Sequence, residues 1–384
     1  MIVYFDNSAT TVVSEKVKDI VLKAMIEDYG NPSSMHLAGV KAEDYIKDAK
    51  KKIASIMKVD EKEIYFTSGG TEGNNLAIIG SVMANKRNGN KIITSSIEHA
   101  SVSNPMKYLE DEGFEVVYLP VDKNGVIDLE ALKNEVDDDT ILVSIMGVNN
   151  EVGAIQPMEE IGAIVKEKNP KTLYHIDAIQ AFGKMEIKPK KCKADFVTVS
   201  GHKIHGPKGT GFIYIKNKTK VKPLILGGGQ QMGMRSGTEN VPGIAGLGEA
   251  AKEAYDNLNT NVEKMTALKD RLIDGLEKME GVTVNSKKGN ESAPHIVSAS
   301  FLNVRSEVML HALEDKGVYI SAGSACSSNK PAISRTLRAM KIDDNLLEST
   351  VRFSFSANNT EEEVDYCLEC INELLPVLKK YVRK

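Results

Sequence analysis

The sequence predicts an α/β fold: a large domain with a mostly parallel seven-stranded sheet flanked by helices, plus a smaller α+β domain. Three observations carry this. Short β-rich runs alternate with longer amphipathic stretches between about residues 63 and 215. The alternation stops at Gly227-Gly228-Gly229 and a different pattern follows. The 384 residues suit one large domain and one smaller one.

In chain order, the strand candidates are 64–67, 91–95, 115–119, 141–146, 173–176, 196–199 and 211–215. Helical patterns at 74–84, 102–112, 129–136 and 158–168 fall between them. Such alternation implies a sheet covered on both faces, with chemistry gathered at the carboxyl ends of its strands. Beyond the glycines a long amphipathic helix is expected over 244–279, with a hinge near 255–261. Strands near 282–284, 296–301 and 351–355 follow, with helices near 307–316 and 360–381.

Composition narrows the function. Hydrophobic residues make up 41% and charged residues 27%, ordinary for a globular protein. The net charge is −4, from 49 basic and 53 acidic residues, so no bulk grip on nucleic acid or an anionic membrane is expected. No apolar run reaches the ~18 residues of a membrane span. The N-terminus does not read as a signal peptide, and a cytoplasmic location is expected. Four cysteines are too few for a disulfide scaffold.

Three motifs carry chemistry. Thr67-Ser68-Gly69-Gly70-Thr71-Glu72-Gly73-Asn74-Asn75 follows a strand and opens a helix. Glycines turn the backbone sharply and a helix N-terminus favours anions, so the segment suits a phosphate; a plain capped turn reads equally well. Asp177 closes Tyr174-His175-Ile176-Asp177, where a carboxylate either caps a helix or holds a proton on a ring nitrogen. The third motif, Thr198-Val199-Ser200-Gly201-His202-Lys203-Ile204-His205-Gly206-Pro207-Lys208-Gly209, places two lysines just beyond an apolar strand. A desolvated lysine there can form a Schiff base; Lys203 and Lys208 compete, and a surface lysine is the bland reading of both.

A phosphate loop, a strand-end Asp and a strand-end Lys, in that order, are the parts that hold pyridoxal phosphate. The chain resembles the class V aminotransferase group of fold-type I pyridoxal-phosphate enzymes, and within it the cysteine desulfurases of the NifS/IscS type. Besides the three motifs, the resemblance rests on Tyr4-Phe5-Asp6-Asn7-Ser8-Ala9-Thr10-Thr11, Gly30-Asn31-Pro32-Ser33-Ser34-Met35-His36 and Glu98-His99. It continues through Asn149-Asn150-Glu151-Val152-Gly153, Gly233-Met234-Arg235-Ser236-Gly237-Thr238 and Gly323-Ser324-Ala325-Cys326, and so runs over essentially the whole chain.

The resemblance implies the following roles. Lys203 would carry the cofactor and shuttle protons at the substrate Cα. Asp177 would pair with the ring nitrogen, Gln180 with the ring oxygen, and His99 would stack on the ring and serve in acid–base steps. Gly70, Thr71, Ser200 and His202 would hold the phosphate, joined by Thr238 from a second subunit, which implies a homodimer with a shared active site. Arg352 would grip the substrate carboxylate in two-point geometry, with Asn150 beside it. The resemblance also implies a large cofactor domain of residues 13–257, and a small domain of 1–12 with 258–384. Gly70 stands where the family more often has Ala, a difference expected to be tolerated.

Cys326 decides the expected activity. It lies in Ser321-Ala322-Gly323-Ser324-Ala325-Cys326-Ser327-Ser328, a small and polar segment. A thiolate there is a competent nucleophile. The implied reaction takes sulfur from L-cysteine, leaving L-alanine and a persulfide on Cys326. That sulfur would pass to an acceptor protein such as an iron–sulfur scaffold or a tRNA or cofactor thiolation enzyme. Leu337 follows Cys326 by eleven positions, a spacing that resembles the long-loop desulfurases. A selenocysteine lyase or an aminotransferase of the same fold is the alternative, and an aminotransferase has no use for Cys326. Cys367 and Cys370 fall at helical spacing and read as core, and Cys192 has no partner in sequence. No spacing of His and Cys resembles a metal site.

Overall fold

The computed structural model describes residues 1–322 and 334–381. A short N-terminal strand, β1 (Val3–Tyr4), precedes the expected series. That series forms β2 (Ile64–Thr67), β3 (Lys91–Ser95), β4 (Glu115–Leu119), β5 (Thr140–Met146), β6 (Leu173–Asp177), β7 (Phe196–Ser200) and β8 (Gly211–Ile215). These seven make one sheet in the order β2-β8-β7-β6-β5-β3-β4. From β4 to β7 every pairing is parallel; β8 runs antiparallel to β7 and to β2.

Register brings the three motifs together. Asp177 ends β6 opposite Thr198 of β7. Ser200 ends β7 opposite Gly211, and Gly211 is also the partner of Thr67 at the end of β2. The turn at Ser68–Gly70, the strand-end Asp and the strand-end Ser therefore share one edge of the sheet. β5, β7 and β8 are buried at every position and β6 at all but Leu173, which is why they read as near-continuous apolar runs.

Two N-terminal helices, Glu15–Ile26 and Leu37–Met57, lie against the helix Val241–Asp256. Small residues permit the close approach: a Cβ on Gly248 would stand 2.7 Å from the Ala49 Cα. The helix expected over 244–279 is two helices, Val241–Asp256 and Leu258–Leu276. Asn257, at φ −117° and ψ 19°, leaves the helical conformation between them.

The second sheet runs β12 (Ser321–Ala322), β13 (Thr350–Ser354), β10 (Ile296–Phe301), β9 (Val282–Val284), all antiparallel. β1 pairs in parallel with β11 (Val318–Tyr319). The last helix, Glu361–Leu378, starts with a capping box between Thr360 and Glu363. Two large apolar cores result. One fills the seven-stranded sheet and its helices. The other gathers Val3, Phe5, Leu272, Phe301, Phe353 and Ile371. Cys367 and Cys370 belong to this second core, and burial pushes the Cys367 thiol far up. Cys192 is buried too, its thiol raised to about 11 chiefly by burial.

Candidate active site

A cavity of about 300 Å³ opens at the carboxyl edge of the large sheet. Ten of the residues singled out in sequence line it: Gly70, Thr71, His99, Asn150, Asp177, Gln180, Ser200, His202, Lys203 and Arg352. They come from segments up to 282 positions apart, between Gly70 and Arg352.

Asp177 is fixed from behind. Its Oδ2 accepts from Asn74 Nδ2 at 2.8 Å and its Oδ1 from the Ile179 N–H at 3.0 Å. Burial pushes the carboxyl above its usual range, against those hydrogen bonds and the electrostatic influence of His99 and Lys203. Asn74 also donates to Ser101 Oγ at 2.9 Å, and Ser101 contacts His99 Nδ1 at 2.9 Å. The Ser101 N–H points at the same Nδ1, at 3.1 Å, so this nitrogen accepts and a neutral His99 carries its proton on Nε2.

The glycine turn borders the cavity. Gly69 sits at φ +152°, and a Cβ on Gly70 would meet Ile179 Cδ1 at 2.1 Å. An adjoining recess is lined by Ser68, Gly69, Gly70, Thr71, Ser200 and His202, the donor types that suit a phosphate at the start of a helix. The His202 imidazole is depressed to about 4 by burial and by the charges of Lys203 and Lys208, so it is neutral at pH 7. The same recess carries the exposed Lys208, whereas Lys203 lines the inner cavity. This separates the two competing lysines. Lys203 Nζ donates to the carbonyls of Ser8 at 2.5 Å and Ala9 at 2.8 Å.

Arg352, on β13, is only 5% exposed. Its Nη1 donates to the Asn150 carbonyl at 2.8 Å and its Nη2 to Asp6 Oδ1 at 3.0 Å. Its Nε has no hydrogen-bond partner among the described residues. Thr238 is exposed and does not line this cavity. Cys326 lies outside the described residues.

Sequence reasoning missed Asn74 as the partner of Asp177, and missed the N-terminal carbonyls that receive Lys203. Asn74 stood inside a recognised motif, one helical turn beyond Gly70, which was a usable signal. The Ser8 and Ala9 carbonyls had none, because a backbone oxygen leaves no mark in the residue type.

The aminotransferase class-V family model matches residues 3–367. The cysteine desulfurase IscS of Methanosarcina thermophila is 44% identical over 98% of this chain and 93% of its own. The chain belongs to the class-V aminotransferase family, among the NifS/IscS cysteine desulfurases. Cysteine desulfurase IscS 1 of Archaeoglobus fulgidus is 40% identical over 98% of this chain and 97% of its own. A NifS-like protein of known structure superposes with a TM-score of 0.93 at 41% identity, covering 98% of this chain and all of that one. A structure described as SspA in complex with cysteine superposes with a TM-score of 0.80 at 32% identity, covering 93% and 99%.

Class-V aminotransferases depend on pyridoxal 5′-phosphate, and the residues present fit it. A buried carboxyl with raised proton affinity suits a protonated ring nitrogen. An amine stands in the same cavity, and neutral donors border the adjoining recess.

Proposed function

We propose that this class-V enzyme removes sulfur from L-cysteine, forming L-alanine and a persulfide on Cys326. The step balances as L-cysteine plus the Cys326 thiol giving L-alanine plus the Cys326 persulfide, with no outside oxidant. The observation that carries the reading is one cavity holding the amine of Lys203, the carboxyl of Asp177 and the guanidinium of Arg352. Pyridoxal phosphate, when bound, supplies an electron sink for a carbanion at the substrate Cα.

The chain's own residues do the rest. Lys203 Nζ carries the cofactor and moves the proton at Cα. Asp177 would hold a proton on the ring nitrogen, Gln180 would donate to the ring oxygen, and His99 would cover the ring and serve as an acid. Gly70, Thr71, Ser200 and His202 hold the phosphate. Arg352 has two of its five N–H groups engaged by Asn150 and Asp6, which orients the fork while leaving donors for a carboxylate.

We further infer a homodimer in which Thr238 completes the phosphate site of the second copy. Support comes from the exposure of Thr238 and from large apolar side chains in the open: Met35 at 100%, Leu37 at 82% and Leu226 at 80%. A working thiol suits the reduced cytoplasm. The persulfide would pass to an iron–sulfur scaffold or a thiolation enzyme. Two separate cores and the break at Asn257 support a large domain of 13–257, and a small one of 1–12 with 258–384. Among the described residues no helix is long and apolar enough to cross a membrane.

The test is purified protein with pyridoxal phosphate and L-cysteine. A visible absorption band lost in Lys203→Ala, together with alanine release, is expected. A wild type that forms no such band, or yields no alanine, contradicts the reading.

A further inference from the structure

His295 precedes β10, whose far end lies in the second core, yet its ring reaches Gln180, which lines the large-sheet cavity. Its Nε2 lies 3.1 Å from Gln180 Oε1. Gln180 Nε2 donates to the Ser8 carbonyl at 3.0 Å, the same carbonyl that receives Lys203 Nζ at 2.5 Å.

Hydrogen-bond polarity through this chain has one solution. The Ser8 oxygen can only accept, so the Gln180 end facing it must be the amide nitrogen. The other end of Gln180 is then its carbonyl oxygen, which needs a donor. His295 must therefore carry its proton on Nε2, leaving Nδ1 bare. Nδ1 is buried and has no hydrogen-bond partner among the described residues, which suits a bare nitrogen far better than an unmatched N–H. A doubly protonated ring would bury that unmatched N–H among the charges of Lys184, Arg352, Lys269 and Lys203. Burial first, and those charges second, hold the imidazole well below its usual range.

We propose that His295 is a positioning residue, a neutral Nε2–H donor that locks the Gln180 amide so that its nitrogen faces the cofactor cavity. This rests on the proposed function, since it is a cofactor ring oxygen that would use the remaining Gln180 N–H. The Ser8 carbonyl fixes which end of the amide is the nitrogen; without His295 the Oε1 end loses its donor, and the amide plane can rotate and weaken the remaining N–H toward that site. A donor at the ring oxygen stabilises negative charge there and so lowers the proton affinity of the cofactor's link to Lys203. The charged or titratable groups around that link are Asp177, His99, His202, Lys203 and Arg352, all retained in the variants below.

The experiment compares holoprotein of wild type, His295→Phe and His295→Gln. The pH midpoint of the Lys203-dependent visible band is read alongside the histidine ring nitrogens by ¹⁵N NMR. His295→Phe should raise the midpoint by about half to one pH unit, the worth of one hydrogen bond. His295→Gln keeps a donor at similar reach and should leave the midpoint within a few tenths of wild type. The wild-type ring should show the Nε2–H tautomer with no titration from pH 5 to 8. An unmoved midpoint in His295→Phe, an equal shift in both variants, or a ring protonated on Nδ1 each overturns the proposal. A wild type lacking the band would instead overturn the functional reading, and the NMR tautomer still decides the polarity of the Gln180 lock.

Discussion

Asn74 donates to Asp177 across 2.8 Å from a side chain with no solvent exposure at all. The pair joins the short helix Gly70–Asn75 to the end of β6, 103 residues later. The amide both orients the carboxyl and supplies part of the solvation that burial removes.

Replacing Asn74 by Ala should therefore act on stability and on cofactor retention together. One buried partner of Asp177 and one of Ser101 disappear, at a cost of roughly 1–3 kcal/mol. Urea unfolding measures the first effect and dialysis against buffer without pyridoxal phosphate the second. Wild-type stability with wild-type retention would show that the contact is idle.

Gly70 and Ile179 are matched in shape. A Cβ at 70 would stand 2.1 Å from Ile179 Cδ1, so an Ala at this position is accommodated only if the flexible end of Ile179 moves. Gly70→Ala alone should cost about 1–2 kcal/mol from overpacking, and Gly70→Ala with Ile179→Val should recover most of it. A double-mutant cycle in urea checks the coupling; additive effects would contradict it.

Glu98 gives a pH signature. Its Oε1 accepts from Ser95 Oγ at 2.5 Å and from the Met146 N–H at 3.0 Å, while Oε2 is buried without a partner among the described residues. Burial raises the carboxyl from 4.5 to about 8, against those two hydrogen bonds. Between these values the folded chain holds a proton that the unfolded chain has released. Wild-type stability should fall as pH rises through that window, and level off above it. Glu98→Gln lacks this contribution, so its stability relative to wild type should climb from pH 4.5 to 8. A pH-independent difference in chemical unfolding would show that Glu98 is already ionised.

Arg352→Lys keeps the charge and loses the fork. KM for L-cysteine should rise by about tenfold or more, because an ammonium cannot satisfy Asn150, Asp6 and a carboxylate in the same plane. Steady-state alanine release gives KM and kcat; an unchanged KM would move the carboxylate site elsewhere.

Much of this architecture was legible in the sequence, for physical reasons. β2, β3, β4 and β8 fall on the expected ranges, and β5, β6 and β7 extend them by one residue; the fully buried β5, β7 and β8 are written as near-continuous apolar runs, and the edge strand β4 by its β-branched residues. Helix Leu37–Met57 was not read: its buried positions include Gly39, Ala42, Ala49 and Ala54, and small residues make a weak apolar stripe. The break at Asn257 falls within the hinge expected near 255–261, although apolar periodicity resumes at Leu258 and continues to Leu276, so that the two helices read as one. Within the site, residues that sit in compact motifs were found. His295 was not, because its role depends on a fold that brings it to Gln180 from 115 residues away.

The central claim is that sulfur leaves L-cysteine for Cys326 in a step that needs Lys203. Brief exposure of the holoprotein to L-cysteine, followed by mass spectrometry of the peptide carrying Cys326, tests it most directly. One added sulfur on that peptide is expected in the wild type, and none in Lys203→Ala. In Cys326→Ser the visible band should persist while sulfur transfer to any acceptor stops. A wild-type Cys326 peptide of unchanged mass, or full transfer by Cys326→Ser, would contradict the account.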